Sequence, residues 1–106
     1  MGAYRNNCIG VLGDSTRRAI FERLAKGPCS VGELADELPV TRPAVSQHLR
    51  VLKDAGLVFD RPAGTRRLYQ LDPDGVGALR AYVDQFWTQA LAAFKDAAER
   101  DPEEEP

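Results

Sequence analysis

The sequence is poor in the residues and runs that would place it in several large classes. Its 106 residues include one histidine and two cysteines. A zinc or arsenic site needs about three or four soft or imidazole ligands. Cys8, Cys29 and His48 lie scattered over three segments, so no metal site is expected. No continuous apolar run approaches the roughly 20 residues that a membrane-spanning helix requires. The start MGAYRNN is polar and does not read as a signal peptide. Met1-Gly2 is a poor myristoylation signal, because Asn6 stands where that motif wants Ser or Thr. The expectation is a cytoplasmic chain with reduced thiols and no membrane association. No Ser/Cys–His arrangement and no phosphate-binding loop is present, which argues against an enzyme or a bound cofactor.

Positive charge is also scarce overall, with a net charge of −2. A nucleic-acid binder is ordinarily basic, but the distribution matters more than the sum. Residues 1–40 hold five Lys/Arg and five Asp/Glu, residues 41–71 six and two, and residues 72–106 three and nine. The middle segment therefore carries +4, the local footprint that phosphate binding requires.

That basic segment opens with TRPAVSQHLRVLKDAG, residues 41–56. Thr41 can cap a helix N-terminus, Pro43 is tolerated in a first turn that lacks amide partners anyway, and Gly56 supplies a left-handed stop. Val45, Leu49 and Leu52 fall at i, i+4 and i+7 and form an apolar stripe. Pro43, Ser46, Gln47 and Arg50 lie opposite, with Arg42 at the leading edge. The outer face offers hydrogen bonds and positive charge, as a DNA recognition helix would.

The flanking segments supply a setting. Residues 4–12 are a short helix candidate weakened by Gly10 and two Asn. Asp14 or Ser15 caps a helix expected over 16–26, with Ala19, Ile20, Phe21 and Leu24 inward. Ser30 and Glu33 have capping-box spacing and open a helix over 31–38. A turn of some three residues leads into the helix at 42–55, which is helix-turn-helix geometry. LVFDR and TRRLYQL alternate like strands on either side of a PAG turn, with Arg61, Arg66 and Arg67 near the tip of the resulting wing. Asp72 and Pro73 begin a helix reaching about residue 99. Val76, Leu79, Val83, Phe86, Ala90, Phe94 and Ala97 keep helical spacing, and Tyr82, Trp87 and Leu91 widen the stripe. So broad an apolar side exceeds one small core and is expected to pair with a second copy of the chain. Ile9, Leu79, Val83, Phe86, Trp87, Ala90 and Phe94 are the interface candidates. The tail DPEEEP is too polar to bury and is expected to be disordered.

The resulting fold class is mainly α with a small β-hairpin, in the order α-α-α-α-β-β-α. It forms one domain over 1–100: helix-turn-helix 30–56, wing 57–71 and dimerisation helix 73–99. In that order, LGDSTRRAIFERL (12–24), TRPAVSQHLRVLKDAGLV (41–58) and RPAGTRRLYQL (61–71) resemble the ArsR-type winged-helix repressors, over residues of about 9–95. The resemblance implies a homodimer on an imperfect DNA palindrome and a repressor that often represses its own operon. Base-facing positions would be Arg42, Pro43, Ser46, Gln47 and Arg50. Gln47 suits adenine and Arg50 guanine, whereas Arg42 suits phosphate. Arg61, Arg66 and Arg67 would lie over the backbone or minor groove. Arg17 and Arg18 would either reach phosphate or pair with Asp14 or Glu22.

The chain departs from the family where founding members sense metals. Their CVC motif is replaced by Ser30-Val31-Gly32, and the lone His48 cannot supply the His and Asp/Glu pairs that another subgroup carries on its last helix. Cys8 and Cys29 remain as a candidate redox pair, against two ordinary thiols. The alternative function is a winged-helix module that binds protein; it would carry apolar or acidic residues in place of Ser46, Gln47 and Arg50.

Overall fold

Helix starts are set by side chains that accept the free amides of each first turn. The computed structural model describes residues 9–100; Cys8, most of the first expected helix and the acidic tail lie outside them. Residues 9–11 are helical. Helix α1 (Ser15–Leu24) follows, with Asp14 accepting from the Arg17 amide at 2.9 Å. Helix α2 (Val31–Glu37) carries the capping box: Ser30 Oγ accepts from the Glu33 amide, and Glu33 Oε1 accepts from the Ser30 amide. Helix α3 (Arg42–Asp54) begins at Thr41, whose hydroxyl accepts from the Ala44 amide, and Gly56 follows it at φ 78°. Helix α4 (Pro73–Glu99) starts where Asp72 accepts from the Asp74 amide. The first three helices end one or two residues earlier than their spacing suggested, which is ordinary fraying.

The core lies where α1, α2 and α3 meet the base of the wing. Ile20, Leu24, Leu34, Val45, Leu49, Leu52, Leu57 and Val58 are buried there together with Cys29. Each such aliphatic side chain contributes about 1.5–3 kcal/mol of apolar burial. Ala19, Phe21, Val31, Ala35 and Leu38 are half-buried around it.

Strands β1 (Val58–Ala63) and β2 (Arg66–Leu71) are antiparallel, pairing Val58 with Leu71 and Ala63 with Arg66. The reversal therefore falls at Gly64-Thr65, which corrects the expected Pro62-Ala63-Gly64 turn. Gly64 takes φ 66°, which a two-residue hairpin turn requires and glycine adopts freely. Pro62 stays in β1 opposite Arg67, a place open to proline on an edge strand. Cys29 adds a short third edge: its amide donates to the Tyr69 carbonyl at 3.0 Å, and the Tyr69 amide donates back at 2.9 Å. The wing is thereby tied to the α1–α2 connection.

The start of α4 is pinned to the same core. The Asp72 amide donates to the Leu57 carbonyl at 2.9 Å. Gly75 lies so close to Gly56 that an added Cβ would stand 1.8 Å from its carbonyl oxygen, so only glycine fits. Leu79 packs on the core. Beyond it the helix leaves the body, and no residue of its 27 is buried. At about 1.5 Å per residue it runs some 40 Å, which accounts for a molecule measuring 68 × 28 × 23 Å.

Candidate nucleic-acid interface

Helix α3 has two chemically opposite sides. Val45, Leu49 and Leu52 are fully buried and seat it on α1 and α2. Arg42, Pro43, Ser46, Gln47 and Arg50 are all exposed on the other side. Among the described residues none of these five has a side-chain hydrogen bond or ion pair within the chain. Ser46, Gln47 and Arg50 thus present unused donors and acceptors from a rigid element. His48 lies half-buried on the flank of the helix, with Asp14 nearby.

The wing arginines are placed differently. Arg66 and Arg67 follow one another on β2 and so leave its opposite faces. Arg66 donates to Glu33 on α2 at 3.1 Å. Arg67 pairs with Asp60, which also holds Lys53 of α3 at 2.7 Å. The Asp60 side chain is only 6% exposed. Hydrogen bonds from Lys53 and Arg67 hold its carboxyl below the usual aspartate value. Arg61 donates to Gln70 across the hairpin at 3.2 Å. One carboxylate ties the wing to α3 and another ties it to α2. Neither Glu33 nor Asp60 was picked out by sequence reasoning as part of this surface. Glu33 was assigned only its cap, and residues far apart in the chain give no local sign of pairing.

Arg17 and Arg18 stand at the start of α1. Arg17 Nε donates to the Val11 carbonyl at 2.8 Å, and an Arg18 terminal nitrogen donates to the Leu12 carbonyl at 3.2 Å. Both guanidiniums therefore fasten the preceding turn; neither hydrogen-bonds Asp14 or Glu22 through its side chain. Between α2, the start of α3 and β2 opens a groove of about 500 Å3, lined by Ser30, Gly32, Glu33, Arg42, Arg66 and Arg67 among others. The Arg42 guanidinium lies over Gly32.

The interface candidates on α4 form an exposed apolar side. Val83, Phe86, Trp87, Leu91 and Phe94 are 48–74% exposed. The Phe86 ring meets Tyr82 edge-on at 4.9 Å. Ala90 is exposed as well, and Ile9 is 41% exposed near the other end of the chain. Leu79 differs from them, because its side chain already packs on the chain's own core.

A family described as a helix-turn-helix domain matches residues 12–58. The HTH-type transcriptional regulator Rv2034 of Mycobacterium tuberculosis is 64% identical over 96 residues, covering 89% of this chain and 90% of that protein. The transcriptional repressor SdpR of Bacillus subtilis is 33% identical over 67 residues, 63% of this chain and 74% of the relative. A solution structure of "the homodimeric winged helix-turn-helix DNA-binding domain" from Mycobacterium bovis, "a possible ArsR-family transcriptional regulator", superposes with a TM-score of 0.64 at 29% identity, covering 80% of each chain.

The chain belongs to the ArsR-type winged helix-turn-helix transcriptional regulators. Within this ArsR-type frame, Ser30-Val31-Gly32 does capping work: Ser30 is 6% exposed and bonded to Glu33. Among the described residues no group of three or more His, Cys, Asp or Glu could hold a metal ion. Cys29 is fully buried, and its thiol donates to Glu37 at 3.7 Å while Arg23 grips the same carboxylate at 3.0 and 3.1 Å. Burial pushes the thiol pKa up, which disfavours the reactive thiolate. Its candidate redox partner, Cys8, lies outside the described residues. No helix among them is long and apolar enough to cross a membrane.

Proposed function

We propose that this ArsR-type regulator is a cytoplasmic, homodimeric repressor that acts by binding an imperfect DNA palindrome and not by catalysis. The observation that carries this reading is the outer side of α3. Among the described residues, Arg42, Ser46, Gln47 and Arg50 are exposed and have no side-chain partner, on a helix whose inner stripe is fully buried. Polar groups held rigid without partners suit a ligand that supplies partners, and base edges in the major groove do so. Gln47 and Arg50 read bases, while Arg42 and the wing arginines Arg61, Arg66 and Arg67 lie along phosphates or the minor groove. Arg17 and Arg18 add phosphate contacts only through donors that the preceding turn leaves free. Residues 1–100 act as one domain.

Two copies pair through α4, burying Val83, Phe86, Trp87, Ala90 and Phe94, with Ile9 and Leu79 at the margin. Dimerisation sets the half-site centres about one helical turn, roughly 34 Å, apart. The relatives named as a regulator and a repressor support this reading, as does the Mycobacterium bovis homodimer. Repression follows physically when a dimer covers a promoter, including its own.

The test is a mobility shift on the promoter of the protein's own gene at several salt concentrations, with sedimentation of the same samples. The wild type gives a specific, salt-sensitive band and a dimer mass. Phe86→Glu gives monomers and loses the band. Absence of any salt-sensitive specific band overturns autoregulated DNA binding, and an unchanged mass in Phe86→Glu moves the interface off α4.

A further inference from the structure

We infer that Glu33 sets the affinity of the protein for DNA by competing with phosphate for Arg66. This rests on the DNA-binding reading above and deepens it. A single oxygen, Glu33 Oε1, accepts from both the Ser30 amide at 3.2 Å and Arg66 at 3.1 Å. The first bond closes the cap of α2, and the second reaches the wing. Glutamine can also close this position of a capping box, so the cap survives without the charge, although the Ser30 bonds favour the ionised form and hold Glu33 below the usual glutamate value. The charge therefore serves two partners, the N-terminus of α2 and, across the groove, Arg66.

Three features make Arg66 a contested side chain. It leaves β2 next to Arg67, lines the groove that Arg42 also lines, and is 57% exposed. Its partner Glu33 is 46% exposed, so the pair is screened by water and held loosely. A DNA phosphate entering this groove offers a rival acceptor that is charge-assisted in the same way. Taking Arg66 leaves Glu33 as a bare carboxylate beside the phosphate, and that like-charge contact opposes binding. Arg66 thus reaches DNA already neutralised. Its wild-type contribution is the small difference between two ion pairs.

The test uses Glu33→Gln, Arg66→Ala and the double variant in the full-length protein, titrated with a labelled mixed-sequence duplex over a range of salt. Mixed sequence suffices because phosphate contacts are sequence-independent. Glu33→Gln is expected to bind about five- to tenfold more tightly near 0.1 M salt. Its plot of log affinity against log salt steepens by about 0.9, the increment for one additional phosphate contact. Arg66→Ala alone weakens binding, because it leaves Glu33 unpaired beside the phosphate, and in the double variant the gain from Glu33→Gln shrinks to the part that relief of this repulsion supplies. The same affinity and slope in wild type and Glu33→Gln overturn the competition. An undiminished gain in the double variant also overturns it, because general repulsion by Glu33 would then explain the whole effect without Arg66. The readout is the coupling between the two changes, so a loss of stability shared by both Glu33→Gln chains leaves it intact. A wild type that binds no duplex at any salt overturns the DNA-binding reading itself.

Discussion

Arg42 and Arg50 on α3 have no ion-pair partner among the described residues, whereas every arginine of the wing is bonded inside the chain. Arg61 is bonded to Gln70, Arg66 to Glu33 and Arg67 to Asp60. Both regions look equally basic when residues are counted. The helix offers its charge and hydrogen bonds outright, while the wing offers what remains after two carboxylates have taken their share. The division suits two tasks. Reading bases needs donors that are rigid and uncommitted, and bracing the hairpin beside the helix needs pairs that fix its angle. Glu33 and Asp60 do the second from opposite faces of β2, at some cost to the charge available for phosphate.

The largest effect that would test this division comes from the buried side of α3. Leu49→Ala removes a fully buried side chain and should cost about 2–5 kcal/mol of stability in urea unfolding. A loss well under 1 kcal/mol would mean that the helix is not seated on this core, and its two sides would lose their separate meanings. Next come Gln47→Ala and Arg50→Ala, on the exposed side. Each should lower specific binding by about 1–3 kcal/mol while leaving mixed-sequence DNA nearly unaffected. Equal weakening on both kinds of DNA would show that these side chains touch phosphate, and α3 would then resemble the wing after all.

Much of this was legible in the chain because it is local. The caps at Asp14, Ser30/Glu33, Thr41 and Asp72 depend on residues at most three apart, and each forms as its spacing implied. The stripe Val45, Leu49, Leu52 is likewise a matter of helical period. Turn position was less legible. Pro62 and Gly64 both signal a reversal, and only strand register decides that the chain turns at Gly64-Thr65. What stayed hidden joins distant residues: the Cys29–Tyr69 bridge, the Gly75–Gly56 contact, and the pairs Arg66–Glu33 and Arg67–Asp60–Lys53. Periodicity has no access to such pairings. The chain therefore places three arginines near the tip of a hairpin without showing that all three are engaged.

Asp60→Asn gives the third effect. Lys53 and Arg67 hold the Asp60 carboxyl below its usual value, so its charge is better tolerated in the folded chain than in the unfolded one. The resulting stability is fully present above the ordinary aspartate range and is lost as pH falls through the lowered folded value. Asp60→Asn should cost about 1 kcal/mol at pH 7, a modest figure because Lys53 and Arg67 are themselves half-exposed. Thermal melts of both proteins should converge as pH drops below about 4. A gap independent of pH would assign the effect to packing and remove the charge argument for a fixed wing.

The smallest effect is expected at Arg61. Its bond to Gln70 is neutral on the accepting side and among the described residues no carboxylate holds it back, yet it lies farther along β1 from α3 than Asp60 does. Arg61→Ala should weaken binding to mixed-sequence and specific DNA alike, by no more than about 0.5 kcal/mol, and flatten the salt dependence by less than one phosphate equivalent. Measured beside Arg50→Ala, it separates two ways of being basic. A loss at Arg61 as large as that at Arg50, and confined to one DNA sequence, would place the wing in a groove reading bases. The contrast between a reading helix and a bracing hairpin would then fail at the one wing arginine that no acid restrains.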